Sequence, residues 1–273
     1  IIKCPSMEKV VAKKKFGQNF LKDETVLQKI VEAMPNNDHK IIEIGPGLGD
    51  LTKYLVNVKS VEAFEVDTDL CKLLQKKFDK EIATKQLHIN CGDVLNAWQS
   101  SLIDEDYDLV ANLPYYIATN IILKALADPK CKNILVMVQL EVAEKFCAND
   151  GEKVFGSLSI ITQSVGEAHI VVRVPPSAFD PQPKIDSAVF LIQKRNDRCD
   201  KDFEDMLRVA FTQPRKTLMK NLSSVYEKNM LQDVFDKLNL AQTVRPHQVS
   251  TSDYHQLYKL TRSLDGTREA RKR

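Results

Sequence analysis

The feature that most constrains the fold of this chain is the alternation of strand-like and helix-like segments between residues 41 and 193. Short runs of aliphatic and β-branched residues, typical of strands, alternate with stretches whose apolar residues recur at three- and four-residue spacing, typical of amphipathic helices. Such alternation predicts βαβ units and an α/β fold with a mostly parallel sheet. The strand-like runs lie at residues 41–44, 61–65, 87–89, 109–111, 133–138, 169–174 and 188–193.

The pattern changes toward the end of the chain. The last two strand-like runs are separated by four prolines and no helical pattern, so we expect them to pair antiparallel at one edge of the sheet. After Arg195 only helical periodicity remains, at residues 203–211, 218–225, 230–238 and 252–260. We therefore predict two domains, an α/β catalytic domain of residues 1–195 and a small all-helical domain of residues 196–273.

Charge is distributed unevenly between these two parts. Residues 1–193 hold 22 Lys and Arg against 26 Asp and Glu, whereas residues 194–273 hold 17 against 11, within a formal net charge of +2. The asymmetry favours separate roles for the two parts, with ordinary solvated surface charge as the alternative.

Composition and spacing exclude several classes of function. No apolar run approaches the roughly 20 residues that cross a bilayer, and residues 1–20 lack the apolar core of a signal peptide, so we expect a cytoplasmic protein with no membrane partner. The six cysteines form no C-x-x-C pair and the five histidines lack ligand spacing, so no metal site is predicted. The cysteines are expected to be scattered, buried thiols in a reducing compartment.

A glycine-rich turn follows the first predicted strand in the stretch EIGPGLG, which contains Glu43, Gly45, Gly47 and Gly49. Glycines there let the backbone approach a ligand closely, and a strand-to-helix turn presents free N–H groups. A dinucleotide site would need a third glycine at position 50, which is Asp50. The acid at position 43 instead suits a ligand with an amine, such as the methionine part of S-adenosylmethionine. A NAD-dependent oxidoreductase is the alternative, which the glycine spacing disfavours.

Carboxylates follow the next two predicted strands, at the edge where open α/β sheets bind ligands. Glu65 lies 20 residues after Gly45 and can accept hydrogen bonds from both hydroxyls of a ribose. Asp93, in the stretch CGDV, can accept a hydrogen bond from the exocyclic amine of an adenine. Taken singly, the alternatives are a solvated strand end and a common Gly-Asp turn. Together with the glycine turn, the two carboxylates predict a nucleoside site along this edge.

The stretch NLPYY at residues 112–116 places an amide, a proline and two aromatic rings at the end of the fourth predicted strand. The N6 amine of adenine is a poor nucleophile, because its lone pair is delocalised into the ring. If the side-chain oxygen of Asn112 and the carbonyl of Leu113 or Pro114 accepted its protons, the nitrogen would be held in place and favoured in a tetrahedral form. Tyr115 offers a face for stacking a base that is unpaired or flipped out of its helix. Direct methyl transfer, without a covalent enzyme intermediate, is the predicted chemistry.

These motifs together resemble those of the KsgA/Erm-type rRNA adenine N6-methyltransferases, in particular the housekeeping small-subunit rRNA dimethyltransferases. The resemblance covers residues 13–260 through the segments KKKFGQNFL, EIGPGLG, GDV, NLPYY, VPPSAFDPQPKIDSAV, AFTQPRKTLMKNL and RPHQVS. It implies a Rossmann-like class I methyltransferase sheet with one antiparallel edge strand, a helical C-terminal domain, and S-adenosylmethionine as the cofactor.

The same resemblance implies further residue roles and a target. Gln18, Asn19 and Leu21 match the segment that closes over the cofactor, and Asn112 also contacts it. Phe179 matches the aromatic residue that stacks on the target base opposite Tyr115. The implied substrate is a pair of adjacent adenines in the hairpin near the 3′ end of small-subunit rRNA. A large-subunit (23S) methyltransferase of the macrolide-resistance type is the alternative, and the proline-rich segment and RPHQVS fit the housekeeping branch better.

Basic residues in the first segment and in the helical part are candidates for contacts with the RNA backbone. The candidates are Lys13, Lys14, Lys15, Arg208, Arg215, Lys216, Lys220 and Arg245. Pro214 stands where the family usually has another basic residue, and His247 stands where an acid is more usual. The net charge of only +2 argues against tight binding to naked RNA. The family resemblance implies a pre-30S or 40S-type particle as the substrate, and we expect the enzyme to be a monomer.

Overall fold

The computed structural model describes residues 19–195 and 200–271, and within these ranges the strands form a seven-stranded sheet and a separate two-stranded one. The strands are β1 (Phe20–Leu21), β2 (Lys40–Ile44), β3 (Val61–Glu65), β4 (Leu87–Cys91), β5 (Tyr107–Asn112), β6 (Cys131–Gln139), β7 (Gly166–Val174), β8 (Phe179–Asp180) and β9 (Ser187–Lys194). The large sheet has the order β4-β3-β2-β5-β6-β9-β7. Its first five strands in this order run parallel, so the predicted α/β fold and all seven predicted strands are confirmed.

The last two strands of the large sheet pair antiparallel at one edge, as predicted. The reversed strand is β9, which lies second from that edge, between β6 and β7. Its first six residues are all buried, whereas most of β7 is partly or fully exposed. A strand that is covered on both faces reads as a continuous apolar run, and an edge strand does not.

Helices connect the strands and cover both faces of the sheet. They are α1 (Glu24–Glu32), α2 (Thr52–Leu55), α3 (Thr68–Lys77), α4 (Asp79–Ala83), α5 (Val94–Ala97), α6 (Ala118–Ala127), α7 (Leu140–Cys147), α8 (Ser157–Val165), α9 (Lys201–Ala210), α10 (Leu218–Leu222), α11 (Lys228–Lys237) and α12 (Thr251–Arg271). The sequence pattern did not predict α1 or α8. Asp23 caps α1, because its side chain accepts from Thr25 N at 2.9 Å. Over the described ranges, none of these helices combines the length and apolarity needed to cross a membrane.

Alternate residues along the strands build an apolar layer on each face of the sheet. On β6, Ile134 and Val136 belong to one cluster, and Leu135 and Met137 belong to the other. The first cluster includes residues of α6, α7 and α8, and the second includes residues of α1, α2 and α3. Because successive strand side chains point to opposite faces, one apolar run on a buried strand supplies both layers.

The C-terminal helices continue the first of these two layers. Phe203 and Leu207 on α9 and Tyr254 on α12 are fully buried in the first cluster, and both helices contact α8. The Tyr254 hydroxyl donates to the carbonyl of Pro246 at 2.9 Å, which ties α12 to the preceding loop. The predicted division of the chain into two domains stays a prediction, and residues 196–199 lie outside the described residues.

Candidate active site

The segments that follow β2, β3, β4 and β5 surround a cavity at the carboxyl-terminal edge of the parallel strands. The cavity encloses about 1120 Å³ of space, part of which is open solvent. Its lining includes the predicted residues Asn19, Leu21, Glu43, Gly45, Gly47, Glu65, Asp93, Asn112, Leu113, Pro114 and Tyr115. The parallel sheet therefore brings together segments that are far apart in the sequence. Gln18 lies outside the described residues.

The glycine turn depends on two positions at which a side chain would meet an aromatic ring. Gly47 has a φ of +59°, and a Cβ atom there would lie 3.1 Å from the ring of Phe20. Gly49 has a φ of +75°, and a Cβ atom there would lie 2.5 Å from the ring of Phe78. Both backbone conformations favour glycine. The turn is therefore fixed by packing against β1 and the end of α3 as well as by ligand access.

The Glu43 carboxyl group lines the cavity but is only 1% exposed. The Thr52 hydroxyl donates to its Oε2 at 2.7 Å. Burial raises the pKa of Glu43 from 4.5 to about 8; the Thr52 hydrogen bond lowers it and the charge of Glu65 raises it. The group is thus largely neutral at pH 7, and a ligand ammonium beside it would favour its charged form.

Two further carboxylates lie at the ends of β3 and β4. Glu65 is 4% exposed, and the N–H groups of Gly47 and Asp67 donate to its two oxygens at 3.1 and 2.9 Å. Burial raises the pKa of Glu65, while these backbone hydrogen bonds lower it. Asp93 is exposed and caps α5, because it accepts from Leu95 N at 2.9 Å. Each carboxylate is held in place by the backbone and keeps lone pairs for a ligand.

The loop after β5 holds its polar groups through hydrogen bonds to neighbouring segments. Asn112 Nδ2 donates to the carbonyl of Asn19 at 3.2 Å, so Oδ1 is the acceptor that this side chain presents. The N–H of Leu113 donates to a carbonyl of β6 at 3.1 Å. The Pro114 carbonyl accepts from Ile117 N at 3.2 Å. Of the two carbonyls predicted to contact an amine, that of Pro114 is thus engaged in a turn, which favours that of Leu113.

The two predicted stacking residues have different surroundings. Tyr115 lines the cavity, its hydroxyl lies 2.7 Å from Ser187 Oγ on β9, and burial raises its pKa. Phe179 is 3% exposed, pairs with Leu21 between β8 and β1, and packs in the apolar cluster on the α1 side. It is not among the residues that line the cavity, and its stacking opposite Tyr115 stays a prediction. On β1 the alternation of side chains places Phe20, the neighbour of Leu21, against the glycine turn.

Four side chains that the sequence did not single out contribute to the site. Phe20 packs on the glycine turn, Thr52 bonds to the Glu43 carboxyl, and Ser187 contacts the Tyr115 hydroxyl. Tyr116 lines the cavity although 59% of it is exposed. Phe20 and Tyr116 could have been found, because they lie within the motifs. Ser187 is brought in only by strand pairing, so no local pattern marks it.

The candidate RNA contacts fall in two groups. Lys13, Lys14 and Lys15 lie outside the described residues. The others are exposed, namely Arg208, Arg215, Lys216, Lys220 and Arg245. The N–H of Leu218 donates to the carbonyl of Val244 at 2.8 Å, which brings the loop of Arg245 beside the start of α10. Arg208 lies on α9 and pairs with Asp205 at 3.0 Å.

The cysteines depart from the expectation of scattered thiols. Cys71 on α3 and Cys91 at the end of β4 form a disulfide, with Cα atoms 6.1 Å apart. The expectation is therefore wrong for this pair, which the packing of α3 and β4 brings together. Cys131 and Cys147 are free thiols, and burial raises the pKa of each to about 12. The other two cysteines lie outside the described residues.

A family model described as ribosomal RNA adenine dimethylase matches residues 10–263. The chain belongs to this family. The ribosomal RNA small subunit methyltransferase A of Sulfurimonas denitrificans is 86% identical to it over 263 residues, which are 96% of this chain and 98% of the relative. The protein of the same name from Aliarcobacter butzleri is 52% identical over 256 residues, which are 92% of this chain and 97% of the relative.

Solved structures of dimethylase-like enzymes have the same fold. A dimethyladenosine transferase from Plasmodium falciparum is 25% identical, with a TM-score of 0.74 over 87% of this chain and 95% of its own. The 23S rRNA methyltransferase ErmE is 24% identical, with a TM-score of 0.69 over 89% of this chain and 99% of its own, and this likeness concerns the fold alone. As a member of the dimethylase family, the chain is an S-adenosylmethionine-dependent rRNA adenine methyltransferase with a Rossmann-like sheet.

Proposed function

We propose that this dimethylase methylates, twice each, the N6 amines of two adjacent adenines in the hairpin near the 3′ end of small-subunit rRNA. The observation that carries the proposal is the single cavity at which the glycine turn, the Glu65 carboxylate and the NLPYY loop meet. The 86% identity to a small subunit methyltransferase supports the choice of RNA. Direct methyl transfer requires the cofactor and the target base to lie next to each other, so both would bind at the carboxyl-terminal edge of the parallel strands.

The proposed role of Asn112 and Leu113 is to position the target amine. Asn112 Oδ1 and the Leu113 carbonyl would each accept one proton of N6, which favours a tetrahedral nitrogen with its lone pair free to attack. Because Asn112 Nδ2 is held by the Asn19 carbonyl, the amide cannot turn its nitrogen toward the base without losing that bond. After one methylation the amine keeps a single proton, so one of the two acceptors is enough for the second transfer.

The proposed role of Tyr115 is to stack on the flipped-out adenine. Its hydroxyl is fixed by Ser187 on β9, so the ring is oriented before the base arrives. Preorganisation of this kind reduces the ordering cost of binding. The enzyme would thus act by positioning the adenine and by directing the dipoles of its acceptor groups at the N6 amine. This scheme needs neither a strong base nor a covalent intermediate.

Four of the residues predicted to bind the cofactor suit particular parts of it. The buried Glu43 carboxyl suits its ammonium group, the Gly47 turn lets it approach the backbone, and Glu65 and Asp93 suit its ribose and adenine. Burial of Glu43 disfavours its charged form, and the ammonium group of the cofactor beside it would favour that form, which supports the fit. When bound, S-adenosylmethionine supplies an electrophilic methyl group on a positively charged sulfur.

The proposed substrate form is an assembling small-subunit particle in the cytoplasm, met by the enzyme as a monomer. The exposed basic residues that would contact RNA phosphates are Arg208, Arg215, Lys216, Lys220 and Arg245. A formal net charge of +2 gives little general attraction for RNA, so the geometry of the particle would add the specificity. Lys14 and Lys15, in the segment before the sheet, are proposed to add to these contacts.

The proposal is tested by incubating the enzyme with purified 30S particles and with 23S rRNA, followed by mass spectrometry of the adenines. We expect dimethyladenosine at two adjacent positions of the 30S rRNA. Methylation of 23S rRNA alone would contradict the choice of substrate. Asn112→Ala should lower kcat about 10²- to 10³-fold, whereas Asn120→Ala, an exposed amide on α6, should not. An Asn112→Ala enzyme with the normal rate would refute the role in positioning the amine.

A further inference from the structure

Tyr116 is an exposed aromatic side chain at the mouth of the cavity. It is 59% exposed, and it is the only aromatic residue among the exposed large apolar side chains of the described residues. Val66, directly after Glu65, is 41% exposed and lines the same cavity. Exposed apolar groups grouped at the edge of a cavity are typical of a binding surface rather than of a random surface.

The two tyrosines of the NLPYY loop serve different sides of the cavity. In the sheet, β6 and β9 lie on one side of β5, and β2, β3 and β4 lie on the other. The Tyr115 hydroxyl contacts Ser187 on β9. The hydroxyl of Tyr116 instead lies within the electrostatic influence of Asp93 and Glu65, which follow β4 and end β3; partial burial first, and then these two charges, raise its pKa.

We propose that the ring of Tyr116 covers the adenosine end of the bound cofactor, opposite the wall formed by Glu65, Val66 and Asp93. Adenine and ribose would then be enclosed between the two carboxylates and an aromatic face. The phenol keeps its proton at neutral pH, so the ring adds no negative charge to this acidic wall. The proposal rests on the cofactor site of the proposed function and does not depend on which RNA is the target.

The charge pattern favours a cofactor contact over an RNA contact for this residue. The acidic groups near Tyr116 repel phosphates, whereas the candidate RNA-binding cations of the described residues lie on α9, on α10, in the loop before α10 and in the Arg245 loop. Ribose and adenine are uncharged and can bind here, because their hydroxyl and amino groups can donate hydrogen bonds to Glu65 and Asp93. In the proposed function the target base stacks on Tyr115, which leaves the Tyr116 ring for the cofactor.

The test measures ligand binding to the full chain without RNA, by calorimetry with S-adenosylhomocysteine and with 5′-methylthioadenosine. Tyr116→Ala should weaken both ligands by a similar factor of about 5 to 10, the size expected for one aromatic face. Tyr116→Phe keeps the ring and should bind both within about twofold of the wild type. Val225→Ala removes a side chain that is equally exposed, at 58%, but does not line the cavity, and should change neither affinity.

Two results would overturn the proposal. In the first, Tyr116→Ala binds both nucleosides with the affinity of the wild type. If that variant also has a raised KM for 30S particles, the ring contacts RNA instead of the cofactor. Alternatively, Tyr116→Phe could lose as much affinity as Tyr116→Ala, which would assign the effect to the hydroxyl. Loss of affinity for both nucleosides would support the proposal even if the enzyme proved to methylate a different rRNA.

Discussion

Replacing Glu43 with glutamine should remove most of the pH dependence that this residue gives to the stability of the fold. Burial raises the pKa of Glu43 from 4.5 to about 8, so the folded protein keeps a proton that the unfolded chain releases across this range. The contribution of this bound proton to the free energy of unfolding is fully present below pH 4.5 and is lost as the pH rises toward 8. Glutamine has a similar shape, stays neutral, and still offers an oxygen to the Thr52 hydroxyl.

The size of the effect follows from the two pKa values of Glu43. Each pH unit between them costs about 1.4 kcal/mol, so the wild type should lose on the order of 5 kcal/mol from this group. That is a large part of the roughly 5–15 kcal/mol that stabilises an ordinary domain. Relief of the same cost when a cationic ligand pairs with the carboxylate would make cofactor binding stabilising.

Urea unfolding at several values between pH 5 and 8 measures the predicted difference. Trp98 is the single tryptophan of the chain and is buried, so its fluorescence reports on unfolding of both proteins. We expect Glu43→Gln and the wild type to be similar near pH 5 and the variant to be several kcal/mol more stable near pH 8. Glu65, whose raised pKa acts in the same direction, is present in both proteins. If the free energy of unfolding changed with pH in the same way for both proteins, the reasoning would be refuted.

Other substitutions test the packing and the docking surface. Gly49→Ala should destabilise the fold by about 2 kcal/mol or more, because its Cβ would lie 2.5 Å from an aromatic ring at a positive φ; urea unfolding measures this. Asp128→Ala should cost about 3–5 kcal/mol in the same assay, because it leaves a tyrosine hydroxyl and an indole N–H, both within 2.9 Å of the carboxylate, without an acceptor. Arg215→Ala combined with Lys216→Ala should raise the KM for 30S particles and reduce its salt dependence, whereas Lys237→Ala, an exposed lysine on α11, should do neither.

Much of the site could be predicted because its chemistry lies within short segments. The glycine turn, Glu65 and the NLPYY loop each lie at or directly after the last residue of a parallel strand, which fixes their place at the carboxyl-terminal edge of the sheet. The partners that hold these residues are different. Thr52 and Ser187 are ordinary polar residues in the sequence, and only helix packing and strand pairing bring them to Glu43 and Tyr115.

The sequence by itself determined the α/β class, the parallel strands and the identity of the groups that meet in the cavity, because strand periodicity and turn chemistry are local properties. The tertiary structure decided which partners the residues of the first segment have. Phe20 packs on the glycine turn, whereas Leu21 pairs with Phe179 and belongs to the apolar cluster on the α1 side, because the pairing of β1 with β8 fixes which face each residue takes. The Cys71–Cys91 disulfide was decided in the same way, because no local pattern records a contact between α3 and β4.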